Sequence, residues 1–415
     1  MHALTEVITC DDSWGEDNMN AGKRVSPTRP VVVYLDNQDY SVLANPKRHI
    51  AEPELPSLLA ELRTLRETGS VKFVFSDVGV AEALPIRLED VDLSMNQVRL
   101  LQELCGDHAL ITYGRLVREE LLQVHQLDAT PIQVLGGKYG WLPPGLERLW
   151  EQSANEKTLK ARALELLAGE GLDQKSMRER LPIAEKRLRQ HLLTQRKARI
   201  DRGEFHVLPK FQDVLLRAAV GEATAAEKKA AFLESWTDLE WLVSKHCQQP
   251  EVVNWFRDSV RSQNISGGQA LRRFANTMVG RDIPASWRDG GMDSIRDEYL
   301  TELVVAASTV FDLPEKRFPI EDIRRYCPGL SAQAGVYFSF AWAHIASRAK
   351  KEISDSAAAD AMHSVYAPYV DVFRTDKAMA PHVQRSLADA GTQVVRLRKD
   401  LSTTIRRLLL ERQLT

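Results

Sequence analysis

Two short apolar runs near the start of the chain constrain its fold most. V-V-V-Y-L-D, Val31 to Asp36, and V-K-F-V-F-S-D, Val71 to Asp77, are dense in β-branched and aromatic residues. Runs of this length and composition suit strands buried on both faces of a parallel sheet. Each is followed by polar residues that fit a strand-to-helix turn, and then by apolar residues at helical spacing. Helices are expected over 54–67, from Ser76 or Asp77 as cap up to Pro85, over 93–104 and over 115–125, with a short strand Ala109 to Thr112 before the last of these. Strands alternating with helices predict an α/β sheet with mainly parallel strands.

Beyond about residue 130 the pattern changes. Periodic helical segments are expected at 146–168, 174–201, 208–219, 224–247, 250–262, 267–278 and 293–311, punctuated by Pro and Gly. A helix over 332–352 leads to a second stretch of mixed character. There a short helix carries Asp360 and His363, an apolar strand runs from Tyr369 to Phe373, and Thr375-Asp376-Lys377 follow. Helix 377–389, strand Thr392 to Leu397 and an amphipathic helix 399–413 complete the pattern. The organisation expected is a loose leader (1–28), the first half of an α/β domain (29–128), an all-α insertion (129–330) and the second half with a C-terminal helix (331–415). Insertion is physically plausible where entry and exit points of the host lie close together on its surface.

Composition narrows the function classes. With 44% apolar and 27% charged residues the chain is that of an ordinary soluble globular protein. A net charge of −2 provides no overall basic field for coating nucleic acid, although a local basic groove stays open. Four scattered cysteines without a C-x-x-C pair argue against a disulfide framework or structural zinc and suit a reducing, cytoplasmic setting. The first residues lack a signal-peptide pattern, and no apolar run is long enough to span a bilayer, so no membrane partner is expected. No G-x-x-x-x-G-K-[ST] loop indicates ATP use.

The chemistry lies in four acids at comparable places: Asp36 at the end of the first strand, Glu82 in the helix after the second, Asp360 on the later helix and Asp376 at the end of a later strand. If the strands are parallel, all four meet at one rim of the sheet, where open α/β sheets bind ligands. Crowded carboxylates raise one another's pKa values unless a cation joins them, and hard oxygen ligands suit Mg²⁺ or Mn²⁺.

The segments Y-L-D-N (34–37), F-S-D-V-G-V-A-E (75–82), D-A-M-H (360–363) and V-F-R-T-D-K (372–377) resemble, in this order, the PIN-domain nuclease family. The resemblance covers about 30–125 and 330–400, and looks most like a larger bacterial PIN-like variant with a helical insertion. It implies a PIN-like parallel sheet flanked by helices, split by a large all-α insertion. It also implies one or two Mg²⁺ or Mn²⁺ ions held by Asp36, Glu82, Asp360 and Asp376, and metal-assisted cleavage of phosphodiester bonds, in RNA more than DNA. A toxin–antitoxin or phage-defence setting, with an inhibitor or oligomer partner on the helical insertion, is part of the same implication. Compact PIN domains lack such an insertion, which bears on substrate and regulation more than on chemistry.

Several residues have bland readings beside the functional ones. Asn37 is a candidate to hold water at the site, and Ser76 or Thr375 to bond phosphate or orient a carboxylate. His363, three residues after Asp360, is a candidate to orient it or touch phosphate, against a buried structural histidine. Lys377, Arg348 and Lys351 are candidate phosphate contacts, against ordinary surface cations. Asp39 reads as a turn residue, Asp371 as a strand residue that faces outward or pairs with a base, and Asp355 as a helix cap. The basic run Lys186 to Arg199 reads as a solvated helix face or a phosphate track. The tryptophans at 141, 150, 236, 241 and 255 read as core. Two alternatives accompany the nuclease reading: an inactive PIN-fold interaction module, and a structure-specific DNA nuclease of flap-endonuclease type.

Overall fold

The computed structural model describes residues 29–143, 159–202, 207–247, 249–262, 291–346, 361–387 and 390–414. The expected leader 1–28, the part 146–158 of the expected helix 146–168 with Trp150, helix 267–278, and Arg348, Lys351, Asp355 and Asp360 lie outside the described residues.

The first part of the chain runs β1 (Val31–Tyr34), α1 (Asn37–Leu43), α2 (Pro46–Ala51), α3 (Leu55–Glu67), β2 (Val71–Val74), α4 (Asp77–Ala83), α5 (Val91–Cys105) and α6 (Tyr113–Gln126). A helical stretch follows: α7 (Leu159–Gly169), α8 (Gln174–Asp201), α9 (Gln212–Ala219), α10 (Ala225–Thr237), α11 (Leu239–His246), α12 (Pro250–Ser262), α13 (Gly291–Val310), α14 (Ile320–Tyr326) and α15 (Pro328–Ala346). The expected single helix 224–247 breaks where Asp238 caps α11 by accepting from the Trp241 N–H at 2.9 Å. The chain ends with a 3₁₀ segment (His363–Tyr369), β3 (Val372–Arg374), α16 (Ala380–Ser386), β4 (Gln393–Val395) and α17 (Leu401–Leu414).

The molecule is α/β. Its four strands form one sheet in the order β2-β1-β3-β4, and every pair is parallel. Val31 pairs with Val71, Val33 with Val372 and Phe373 with Val394. All residues of β1 and β3 are buried, which is why these runs are continuously apolar rather than alternating, apart from Arg374. The β1-to-β2 crossover moves one way along the sheet and the β3-to-β4 crossover the other. A switch point therefore lies at the C-terminal ends of β1 and β3, where a parallel sheet opens a crevice.

Two expected strands are corrected. Ala109–Thr112 contributes only an isolated parallel bridge to Phe75, because Leu110 turns to pair with Leu135 and Thr112 already caps α6. The strand expected from Tyr369 begins at Val372, because Pro368 and its neighbours wind into the 3₁₀ segment, and pairing starts only with the Asp371 N–H on the Val32 carbonyl.

The helical stretch does not stand apart from the sheet. Helix α11 packs on α5, α12 on α4, and α15 on both the 3₁₀ segment and α16. Most buried apolar residues form one continuous cluster, from Val31 through Trp236, Phe256 and Val336 to Ile405, while the buried Ala163 and Leu167 of α7 and Ala218 and Ala219 of α9 lie outside it. Trp141 sits between Phe75 and Phe256, with ring centroids 6.0 and 5.7 Å away. Trp141 and Trp236 are core as expected, Trp241 is partly buried, and Trp255 is 40% exposed. No helix among the described residues is long and apolar enough to cross a membrane.

Candidate metal centre

Strand ends deliver the first two acids. Asp36 follows β1 after Leu35 with extended backbone (φ −64°, ψ 147°), and it caps α1 by accepting from the Gln38 N–H at 3.4 Å. Asp376 follows β3 after Thr375 and closes the turn there, accepting from the N–H groups of Ala378 and Met379 at 2.8 and 2.7 Å. In both cases the bonds to backbone N–H groups and the strand direction turn a carboxylate toward the switch-point crevice.

Glu82 is placed by both ends of its short helix. At the start Ser76 is the cap, its hydroxyl accepting from the Gly79 N–H at 3.2 Å. At the other end the buried guanidinium of Arg257, from α12, donates to the carbonyls of Ala81, Leu84 and Pro85. A cation there satisfies carbonyls that the ending helix leaves without partners. A residue of the helical stretch thus helps to hold the helix that carries Glu82.

His363 opens the 3₁₀ segment and is buried. Its Nε2 lies 3.1 Å from Glu82 Oε2, and its Nδ1 lies 2.5 Å from the Tyr34 hydroxyl. The Tyr34 hydroxyl is also 2.8 Å from Ser76 Oγ, and its ring stacks on Phe373 at 5.2 Å. Tyr34, on β1, is therefore the fixed post that orients the histidine.

Asp36, Glu82 and His363 each offer one ligand atom, all within 4.8 Å of one another. Asp36 and Glu82 border a cleft of about 430 Å³ that Asn37, Asp90 and Asp376 also line. Burial pushes the Asp36 carboxyl up to about 6, the charges of Asp39 and Glu82 push the same way, and His363 opposes. The donor set fits a divalent cation: two carboxylates and an imidazole from different elements bring ligand atoms close together. Oxygen donors suit Mg²⁺ or Mn²⁺, and the imidazole favours Mn²⁺ over Mg²⁺.

Of the expected acids, Asp36, Glu82 and Asp376 share this cleft, with Asp376 outside the close cluster. Asn37 lines it, but its side-chain carbonyl already accepts from Gln97. Thr375 is buried and Lys377 is exposed. Ser76 is corrected as a phosphate contact: it is fully buried and committed to Tyr34 and Gly79, so it acts by positioning. Asp39 is corrected as a turn residue. It lies 1% exposed in α1, paired with Arg374 at 3.0 Å and Arg398 at 2.7 Å. Asp371 accepts from the Val32 N–H and pairs with Arg412, so of its two expected readings the pairing with a base is the one observed. The basic run Lys186 to Arg199 lies on α8, which has no buried residue and packs on α7 and α9.

Three residues had not been read as part of the site, Asp77 having been considered only as a helix cap. Asp90 lines the cleft from a 3₁₀ turn before α5, where no local pattern marks it. Tyr34 reads as one more apolar strand residue until its hydroxyl is seen. Asp77, next to the Ser76 cap, is fully buried and accepts from the Tyr366 hydroxyl at 2.9 Å and from the Tyr113 N–H, and burial pushes it up to about 6 against those bonds.

No family model, curated protein or solved structure matches this chain. The chemistry of the cleft is thus argued from its own residues.

Proposed function

We propose that the chain is a Mg²⁺- or Mn²⁺-dependent nuclease of PIN-like type, cutting phosphodiester bonds in RNA in preference to DNA. One observation carries the reading: Asp36, Glu82 and His363 bring ligand atoms within 4.8 Å of one another at the switch point of a parallel sheet. Asp376 and Asp90 border the same cleft. Asp36, Glu82 and His363 would hold a cation, which when bound supplies Lewis-acid polarisation of phosphate and a more acidic water. Tyr34 fixes the imidazole, and Arg257 and Ser76 fix the Glu82 helix. Asp376, held by two backbone N–H groups, is left as an ionic wall that orients water or the attacking group. The order of the sequence motifs and the parallel sheet support the PIN-like assignment, and a toxin or phage-defence role is the setting it suggests.

The test is cleavage of single-stranded and structured RNA and DNA with Mn²⁺ by wild type and Asp376→Asn. Wild-type cleavage with loss in the variant is expected; equal cleavage by both sinks the proposal.

A second reading has one observation in its favour. His363 and Glu82 already satisfy each other at 3.1 Å, as in an interaction module that no longer uses metal. Calorimetric titration with Mn²⁺ separates the two, since the module gives no heat at millimolar metal.

A further inference from the structure

A second cavity, of about 650 Å³, lies between α13, α14, α15 and α16, and shares no lining residue with the acidic cleft. Its volume is in the range of small-molecule sites. Phe338, Trp342 and Leu300 give it apolar walls, and Arg296, Arg324 and Arg385 line it as well. Gly335 eases the junction: a Cβ there would meet Ser386 Oγ at 2.7 Å and Ser386 Cβ at 3.0 Å, so a larger residue would require the Ser386 side chain to shift.

Among the described residues the charges do not cancel. Arg296 pairs with the lining Asp293 and with Asp297, and Arg324 with Asp297, so these two carboxylates serve two of the three guanidinium groups at the cavity. The surplus is at Arg385, which donates only to the Ser339 hydroxyl, at 3.1 Å, and has no carboxylate partner among the described residues. The buried Ser331 hydroxyl at the cavity wall has no hydrogen-bond partner among the described residues, a state that native proteins rarely leave.

We propose that this cavity is a second ligand site taking a nucleoside monophosphate, with the phosphate on Arg385 and the base against Phe338 and Trp342. A planar apolar body with one anionic end matches the walls and the surplus charge together. A guanidinium recognises phosphate by charge-assisted hydrogen bonds, and aromatic side chains accept any base face. The far wall includes Pro368, within the 3₁₀ segment that begins at His363, so an occupant would bear on the element that carries the metal-site histidine.

The test is calorimetric titration of the full chain with 5′-AMP and 5′-UMP in EDTA, which removes any metal-borne affinity. Arg385→Gln, Trp342→Ala and Asp36→Asn are compared after melting curves show folding. The proposal expects binding that weakens at least about tenfold in Arg385→Gln and in Trp342→Ala, and is unchanged in Asp36→Asn. No binding at millimolar nucleotide, affinity no better than for inorganic phosphate, equal binding by Arg385→Gln, or loss in Asp36→Asn would each overturn it. This readout does not involve cleavage, so it fails or stands separately from the nuclease reading.

Discussion

Glu120 offers a direct test of how the two halves of the sheet are joined. It is fully buried on α6. Its carboxylate accepts from the Gly329 and Leu330 N–H groups at 2.5 and 2.9 Å, and from the Tyr369 hydroxyl. One carboxyl thus ties α6, the first turn of α15 and the end of the 3₁₀ segment. Gly329 is needed there, because a Cβ would meet the Val365 carbonyl at 2.6 Å. Burial pushes Glu120 up to about 7 against these donors, from an ordinary value of 4.5. The native state therefore binds a proton more tightly than the unfolded chain does. The stability linked to this proton is complete below about 4.5 and is lost as pH rises through about 7. A gap of that size corresponds to roughly 3 kcal/mol. Glu120→Gln removes the titration and keeps the volume, but turns an amide N–H₂ toward an N–H donor, which costs about 1–3 kcal/mol. The assay is urea unfolding followed by fluorescence from pH 5 to pH 8. The stability of wild type relative to Glu120→Gln should decline across that window and flatten above it. A difference that does not change with pH would refute the argument.

Other outcomes follow from the same geometry. Asp36→Asn should weaken Mn²⁺ binding at least about tenfold in calorimetry, since it removes one of three clustered ligands. Tyr34→Phe removes the hydroxyl shared by Ser76 and His363, and should cost about 1–3 kcal/mol in urea unfolding because both partners are buried. Asp39→Asn leaves the buried Arg374 without its counter-charge, and a loss of about 3–5 kcal/mol is expected by the same measurement. Arg257→Ala frees the end of α4, and faster hydrogen exchange over 77–84 should report it.

How much of this was legible along the chain depends on the range of the interaction. Val31–Tyr34 and Val71–Val74 announce themselves because strands buried on both faces must be continuously apolar. The helices at 174–201 and 250–262 match their periodic segments end to end, since helical spacing and capping are local. Asp36 and Asp376 were readable as acids that close strands, a position with only a turn or a ligand to serve.

Local rules did not extend to pairing. Nothing in the run at 109–112 shows that its backbone partners are divided between Phe75 and Leu135. Asp39 looks like any turn residue until Arg374 and Arg398, more than 330 positions later, are folded against it. Asp90 carries no motif, and only the packing of α5 brings it to the cleft.

The chain's own residues therefore determined the α/β class, the parallel strands and the acids that close them, because strand burial, helical period and capping act over a few residues. The tertiary structure alone decided that Asp36, Glu82 and His363 share one site. That convergence depends on the crossover order of the sheet, on Tyr34 reaching the histidine and on Arg257 reaching α4 from the helical stretch. Each of these contacts joins residues more than 150 positions apart, beyond the reach of any local pattern.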